Sequence, residues 1–321
     1  MITVAADSAN ELFAGACQQL LQCGVAVSPR GMPTREVLGA HLHLRDPRRR
    51  LVDLPPGRLL NPAFAVAETL WILSGSDDPW IFRYNRNLTR YTDDGRLQGA
   101  YGPRMRRWHG RIDQLDRVRD LLSRDRDSRQ AVIQLFDPEQ DTRGHRDVPC
   151  TLNYRFFVRD DRLHMHTTMR SQDLWLGFGY DIFAATILQE LLAGWLDVEL
   201  GEYHHVVDSL HLYDKHLAGA GEIPCTPEAS ELMSPISVDW AQFDTVLAAT
   251  VAGRDPAIEC PIWTTFAAVM ASYSQWSAGE RSRAREQATQ VPSELGRALE
   301  RWLDHLATQV EPTGDTVGAI G

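Results

Sequence analysis

The residues with the clearest chemical potential are a cysteine and an arginine separated by a strand–turn–strand pattern. Cys150 follows a proline and begins an apolar-rich run to position 158; a charged turn at 159–162 and an alternating run to position 169 then lead to Arg170. Antiparallel pairing of the two runs predicts a hairpin that places Arg170 near Cys150. A neighbouring guanidinium favours the thiolate of a cysteine, which is the nucleophile. The pattern therefore indicates nucleophilic chemistry at Cys150.

A second candidate is the single acidic residue of an apolar helix predicted at 62–74. Glu68 stands there among Ala, Val, Leu, Trp and Ile. A carboxylate is costly to bury without a partner. Two interpretations stay open: Glu68 lies at the rim of the helix, or it is a buried acid of raised pKa that can transfer protons.

Two arginines lie on a segment that is rich in Pro and Gly. The pattern at 25–38 predicts a loop that exposes Arg30 and Arg35. A guanidinium offers a planar donor fork that suits a phosphate dianion. Two solvated surface arginines are the simpler explanation of the same pattern.

Histidines cluster in a strand predicted at 202–213, which carries His204, His205 and His211. Clustered histidines can indicate a metal, but adjacent residues of a strand point to opposite faces. The spacing therefore argues against a metal site.

The remaining periodicity predicts the elements that position these residues. An early helix, a middle helix, a short strand and a strong helix are expected at 9–22, 112–123, 131–136 and 181–196. Asp181 starts the last of these helices, where its simplest role is an N-cap. After a loop at 226–235, amphipathic helices are expected at 238–251, 262–276 and 292–310. The tail at 311–321 is predicted to be mobile.

Composition limits the class of protein. The chain has 321 residues and a net charge of -10, which argues against non-specific binding of a nucleic acid polymer. Five cysteines without paired spacing predict neither a disulfide framework nor a zinc site. No signal peptide and no apolar stretch long enough to span a membrane is apparent, so we expect a cytoplasmic protein.

Taken together, these features resemble the thymidylate synthases and their cytidylate hydroxymethylase relatives. The resemblance runs from about residue 12 to 216 and rests on motifs that occur in the family's order: Glu68 in AETLWILSG, Tyr101-Gly102, Asp127-Ser128-Arg129, Pro149-Cys150, Arg170-Ser171-x-Asp173-x-x-Leu176-Gly177, and Asp208-x-x-His211-x-Tyr213. It implies an α/β (α+β) fold with a mixed twisted sheet flanked by helices. A single domain at 1–321 is expected, with a variable helical C-terminal part at about 226–321.

The resemblance also implies catalytic roles. Cys150 is expected to add to C6 of a pyrimidine ring, which turns C5 into a nucleophile. Glu68 is expected to handle protons at the exocyclic position of the ring, and Tyr101 to assist removal of the C5 proton. The co-substrate implied by the family is 5,10-methylenetetrahydrofolate, which Asp173 and Gly177 are expected to bind.

Substrate-binding roles follow from the same resemblance. The nucleotide phosphate is expected to be held by four residues, namely Arg30, Arg129, Arg170 and Ser171. His211 and Tyr213 are expected to hydrogen-bond the ribose. The family's arginine at the position of Arg129 reaches across from the partner subunit, so a homodimer is expected.

One departure from the synthases concerns the choice of base. They carry asparagine where this chain has Asp181, and cytidylate hydroxymethylases carry aspartate. An asparagine amide can donate to O4 of uracil, whereas an ionised carboxylate accepts only, and so suits the N4 amino group of cytosine. Asp181 therefore predicts a cytidylate substrate.

Other departures concern the neighbours of the motifs. Thr151, Gln130 and Met169 replace family residues beside Cys150, Arg129 and Arg170, and two tryptophans of the folate site align with Asn87 and Arg90. Loss of those tryptophans suits attack by water, which gives a hydroxymethyl group. The expected activity is conversion of CMP or dCMP to its 5-hydroxymethyl form. Residue usage typical of a high-GC bacterium favours CMP, as in nucleoside-antibiotic pathways such as mildiomycin biosynthesis. The alternatives are methylation of a uridylate and a non-catalytic nucleotide-binding homologue.

Overall fold

The computed structural model describes residues 1–310, so the predicted mobile tail at 311–321 lies outside the described residues. Within this range the chain forms eight strands: β1 (Ile2–Ala6), β2 (Val25–Val27), β3 (Thr34–Leu44), β4 (Val132–Gln134), β5 (Thr151–Arg159), β6 (Arg162–Met169), β7 (Gln172–Asp173) and β8 (Glu199–Tyr213). The α-helices of the same range are α1 (Ala9–Cys23), α2 (Pro62–Leu73), α3 (Tyr101–Arg106), α4 (Gln114–Arg124), α5 (Pro138–Asp141), α6 (Phe178–Trp195), α7 (Leu217–Glu222), α8 (Phe243–Val251), α9 (Pro261–Ser277), α10 (Arg281–Thr289) and α11 (Ser293–Val310).

The strands form one mixed sheet. Their order is β1-β3-β8-β6-β5-β4, with β2 paired to β3 and β7 paired to β8. The pairs β1–β3, β6–β8 and β7–β8 are parallel, and the others are antiparallel. The predicted hairpin is present as β5 and β6, whose register pairs Thr151 with Met169.

Helices cover one face of the sheet in layers. The helices α1 and α6 pack on the strands, α2 packs on α6, and the C-terminal helices α8, α9 and α11 pack on α2. Every residue of α2 is buried except Glu68, which is partly buried, as expected for a helix that is apolar on nearly all sides. The predicted α/β class, with a mixed twisted sheet flanked by helices, is confirmed. No helix in the described part of the chain has the length and apolar composition to cross a bilayer.

The loop predicted at 25–38 was wrong over most of its length. The chain there forms β2, a one-turn 3-10 helix at Pro29–Gly31 and the start of β3, paired in an antiparallel hairpin. The Pro and Gly signals mark only the turn, and the alternating residues on either side pair as strands. Arg30 lies at the tip of this hairpin with a positive φ of 55°.

The other face of the sheet carries half-buried histidines. The ring of His204 stacks on those of His43 and His166, with centroid distances of 4.4 and 4.3 Å. Burial and the neighbouring histidines lower the pKa of His204 to about 3. His205 is fully buried on the helix-covered face, as strand alternation predicts.

The strand beside β8 adds a possible metal ligand, His43, that spacing within β8 alone does not show. Possible ligand atoms of His43, Glu202 and His204 lie within 4.8 Å of one another. The rings of His43 and His204 are nearly parallel, at 20°, so their in-plane nitrogens do not converge on one point. Binding of one ion by both rings would require them to rotate.

A buried ion pair fixes α3, the helix that Tyr101 begins. Both terminal nitrogens of Arg104 donate to the Asp141 carboxylate at 2.7 Å, and one of them also donates to the Leu135 carbonyl at 2.6 Å. The two side chains are 7% and 0% exposed. Removal of one partner of such a pair leaves an uncompensated buried charge.

We predict that Asp141→Ala lowers the free energy of unfolding by about 3–5 kcal/mol because Arg104 loses its partner inside the protein. The measurement is urea unfolding followed by tryptophan fluorescence. Asp116→Ala is the matched control, since its pair with Arg119 is 45% exposed at the carboxylate and is expected to change stability by less than about 1 kcal/mol. Equal losses in the two variants would contradict the prediction.

Candidate active site

A cavity of about 1450 Å³ lies where the start of α6, the middle of α2, the β5–β6 hairpin and the end of β8 meet. It contains most of the residues that the sequence singled out. The predicted site residues that line it are Arg30, Glu68, Cys150, Arg170, Ser171, Asp173, Gly177, Asp181, His211 and Tyr213. Residues far apart in sequence are therefore gathered around one space, large enough for more than one small molecule.

The hairpin brings Cys150 and Arg170 together, as predicted. The Arg170 backbone N–H donates to the Cys150 carbonyl at 2.9 Å, and its Nη2 lies 3.8 Å from the Cys150 Sγ. The same guanidinium donates to the carbonyls of Val148 and Pro149 at 2.9 Å. These two bonds fix the cation beside the thiol.

The expectation that Arg170 promotes the thiolate is only half met. Burial raises the pKa of the Cys150 thiol, and this outweighs the lowering by Arg170. The carboxylates of Asp181 and Asp147 raise it further, while Arg30 lowers it. The cavity therefore favours the neutral thiol, since burial penalises the charged form.

Glu68 faces the cavity from α2 rather than lying at a solvent rim. Burial, with a contribution from the nearby Asp181 carboxylate, raises the pKa of Glu68 to about 8. Of the two interpretations left open by the sequence, the structure favours the buried acid of raised pKa. At neutral pH the group carries a proton that it can transfer.

Asp181 is not the N-cap of its helix. The helix α6 begins at Phe178, preceded by Gly177, so Asp181 lies in the first turn. Its Oδ2 accepts a hydrogen bond from the Gln172 Nε2 at 2.9 Å. Burial raises the pKa of Asp181 to about 6, against the lowering effect of the Gln172 bond. A Cβ on Gly177 would lie 2.8 Å from the Gln172 Nε2, so glycine permits this approach.

Tyr101 does not line the cavity wall but lies directly behind Cys150. Its hydroxyl accepts a hydrogen bond from the Thr151 N–H at 3.2 Å. Burial raises the pKa of Tyr101 well above its usual value. A Cβ on Gly102 would come within 2.6 Å of the Ser76 carbonyl oxygen, which explains why glycine follows the tyrosine.

The end of β8 and the β2–β3 turn form one side of the cavity. Alternation along β8 places His211 and Tyr213 on the same face. Burial raises the pKa of Tyr213, and the adjacent Arg30 opposes that shift. Arg129 does not line this chain's cavity, so its contact with a site across a dimer stays a prediction.

Asp173 ends β7, just before the turn that leads to α6. Its Oδ1 accepts from the backbone N–H groups of Trp175 and Leu176, each at 2.9 Å. The carboxylate is thereby held at the cavity wall. Asn87 also lines the cavity, whereas its companion Arg90 is not among the lining residues.

Sequence reasoning missed two groups of residues. Gln172 stands at the variable position of the Arg170–Asp173 motif, and its bond to Asp181 depends on the packing of α6 beside β7, which no sequence spacing indicates. The second group comes from the C-terminal helices, whose aromatic side chains reach the cavity: Tyr273, Trp276 and Trp302.

Comparison with known proteins agrees with this geometry. The chain is similar to proteins named deoxyuridylate hydroxymethyltransferase from three phages. Identity is 34% over 227 residues for Bacillus phage SP01, covering 66% of this chain and 59% of the relative. It is 36% over 186 residues for Delftia phage PhiW-14, covering 53% and 51%, and 36% over 162 residues for Pseudomonas phage M6, covering 49% and 46%. The chain thus spans about half of the length of these relatives.

The model of one protein family matches more than half of the chain. The match to thymidylate synthase covers residues 11–229, from the first turn of α1 to the segment beyond α7. It includes the helix of Glu68, the hairpin of Cys150 and the first turn of α6. The chain therefore belongs to the thymidylate synthase family.

Proposed function

We propose that this protein transfers a one-carbon unit to C5 of CMP or dCMP and completes the transfer with water, giving the 5-hydroxymethyl nucleotide. The observation that carries the proposal is the Asp181 carboxylate, oriented by Gln172 in the same cavity as Cys150. An ionised carboxylate accepts hydrogen bonds and suits an amino group on the base.

Cys150 is the proposed nucleophile towards C6 of the ring. Burial raises the pKa of this thiol, so the thiol must lose its proton when the ring binds. Arg170, anchored 3.8 Å away by backbone carbonyls, stabilises the developing thiolate. Addition at C6 makes C5 an enamine carbon that can attack an electrophile.

Proton transfers are assigned to two further groups. Glu68, with a pKa of about 8, is protonated at neutral pH and can donate towards the polar edge of the ring. Tyr101, whose hydroxyl lies behind Cys150, is the proposed residue that assists removal of the C5 proton. Arg30, Arg170 and Ser171 are the proposed phosphate ligands.

The cavity also fits the folate that the family implies. Trp175, Tyr273 and Trp276 are among its lining residues, and aromatic side chains suit contact with a pterin and a benzoyl ring. The Asp173 Oδ1 is used by the turn, which leaves Oδ2 to accept from pterin N–H groups. When bound, 5,10-methylenetetrahydrofolate supplies the electrophilic carbon.

One part of the proposal concerns the assembly of the protein. We propose a homodimer in which Arg129 contacts the partner's nucleotide.

Hydroxymethylation of a uridylate is the second candidate function, favoured by the substrate in the names of the phage relatives. In that case Asp181 would act in its protonated form, which can donate to O4.

We predict that a competition among equal CMP, dCMP, UMP and dUMP, with methylenetetrahydrofolate, yields hydroxymethylated cytidylate by mass spectrometry. Cys150→Ala should abolish both this product and tritium release from C5-labelled nucleotide. Cys23→Ala is the control, because that cysteine is exposed and does not line the cavity. A methylated uridylate would instead identify a divergent synthase, and tritium release by Cys150→Ala would contradict the role of the thiol.

We predict that Asp181→Asn shifts the ratio of kcat/KM values from cytidylate towards uridylate by at least about tenfold. The amide can donate to O4, and each matched hydrogen bond in a buried site discriminates by about 1.5 kcal/mol or more. The ratio is measured with both nucleotides in one reaction. An unchanged ratio in a folded variant would refute the account of base choice.

We predict that Glu68→Gln inactivates the protein but stabilises it at alkaline pH. The folded-state pKa of Glu68, about 8, lies above its usual 4.5, so its contribution to stability is complete below about 4.5 and is lost as pH rises to about 8. Urea unfolding at pH 5 and 8 should show the variant gaining about 3–4 kcal/mol relative to wild type between those pH values. Glu139→Gln, on an exposed surface pair, should show no such gain. If the difference in free energy of unfolding between Glu68→Gln and wild type did not change with pH, the raised pKa of Glu68 would be refuted.

A further inference from the structure

A chain of buried hydrogen bonds ends at Asp181. The Gln172 Nε2 donates to the Asp181 Oδ2 at 2.9 Å and to the Asp173 carbonyl at 3.1 Å. The Gln172 Oε1 lies 2.9 Å from the His205 Nε2. The His205 Nδ1 lies 2.8 Å from the Tyr203 hydroxyl, which is 2.9 Å from the Thr167 Oγ1.

Chemistry fixes the direction of every bond in this chain. Two acceptors face one end of the Gln172 amide, so that end must be the NH2 group. Its oxygen then needs a donor, which makes the His205 Nε2 protonated. The His205 Nδ1 is left as an acceptor for the Tyr203 hydroxyl, and that oxygen accepts in turn from Thr167. Burial lowers the pKa of His205 to about 3, which keeps the ring neutral and the tautomer fixed.

We propose that Gln172 is the positioning residue that sets base selectivity, because it holds the Asp181 Oδ2 as an acceptor and leaves Oδ1 to read the nucleotide base. This inference rests on the proposed function. None of the described residues donates to the Asp181 Oδ1. Gln172, Tyr203 and His205 are 2%, 0% and 0% exposed, so they act on the ligand only through Asp181.

The arrangement also decides where a proton on Asp181 would reside. Oδ2 already accepts from Gln172, so a proton must bind Oδ1, which then becomes a donor. The ionised residue therefore selects an amino group such as N4 of cytosine, and the protonated residue selects a carbonyl such as O4 of uracil. Burial raises the pKa of Asp181 to about 6, so this change of base preference falls in a pH range where binding can be measured.

Other ionisable groups surround Asp181 from each packed element, and they bias its charge. The carboxylate of Asp173 raises the pKa of Asp181, while the Gln172 bond lowers it. Groups on the remaining elements feel the Asp181 charge in return; they are Glu68 on α2, Tyr101 on α3, Cys150 and Tyr154 at β5, and Tyr203 on β8. Because Gln172 donates the hydrogen bond that favours the ionised form, its removal should raise the pH at which base preference changes.

The test measures binding of CMP and UMP by isothermal titration calorimetry from pH 5 to 8, without folate. Wild type should prefer CMP above about pH 6 and lose that preference as the pH falls. Gln172→Met keeps the volume and removes the donor, and should lower the CMP-to-UMP affinity ratio at pH 7 by about tenfold. It should also move the midpoint of the pH profile upwards.

Tyr203→Phe tests the chain without touching Gln172 or the cavity. Loss of that hydroxyl leaves the His205 Nδ1 without a donor, so the ring no longer has a fixed tautomer and holds the Gln172 oxygen less firmly. We expect the CMP-to-UMP affinity ratio and the pH midpoint to change in the same direction as in Gln172→Met, but by a smaller amount. In an Asp181→Asn background, Gln172→Met should no longer move any pH midpoint, since the titrating group is absent.

Gln189→Met is the matched control, because this buried glutamine of α6 donates to carbonyls of Leu163, Gly201 and Glu202 and not to Asp181. It should leave the affinity ratio unchanged. The proposal is overturned if Gln172→Met and Tyr203→Phe keep the wild-type ratio and midpoint, or if they weaken CMP and UMP equally. Wild-type selectivity in binding without hydroxymethylated product would refute the proposed function and leave this inference intact, whereas binding of neither nucleotide would refute both.

Discussion

Burial of ionisable side chains around one cavity is the constraint on which the rest of the structure depends. Cys150, Glu68 and Asp181 all have pKa values raised by burial, and the charge of Asp181 raises the pKa of the other two. Three anions cannot coexist cheaply in such a space. The site is thus biased towards neutral groups, and proton movement becomes part of ligand binding.

The fold counters this bias with cations held by the backbone. Arg170 is fixed by the carbonyls of Val148 and Pro149 because the β5–β6 register ends at that point. Arg30 lies at the tip of the β2–β3 hairpin. Both lower the pKa of Cys150, so the two hairpins act on the same thiol from different parts of the sheet.

Local patterns predicted much of this arrangement. The alternation on both sides of the charged turn predicted the hairpin and hence the contact of Cys150 with Arg170. The apolar run around Glu68 predicted a buried helix but could not say where the carboxylate points, because that depends on α6 and the C-terminal helices packing on α2. Gln172 escaped notice for a similar reason: its partners come from α6 and β8, and no spacing in the sequence encodes them. The 25–38 segment misled because Pro and Gly mark a turn without showing that it joins paired strands.

The C-terminal helices illustrate how a part outside the family match becomes part of the site. The match ends at residue 229, yet α9 and α11 pack on α2 and contribute Tyr273 and Trp302 to the cavity. The Tyr273 ring stacks on Tyr84 with centroids 5.4 Å apart. The Tyr84 carbonyl accepts from the Asn61 Nδ2 at 3.1 Å, and the Asn61 side-chain oxygen caps the first turn of α2. The helices that supply these cavity-lining aromatic residues therefore also hold α2, the helix that carries Glu68. A change in the C-terminal helices would alter both ligand access and the burial of Glu68.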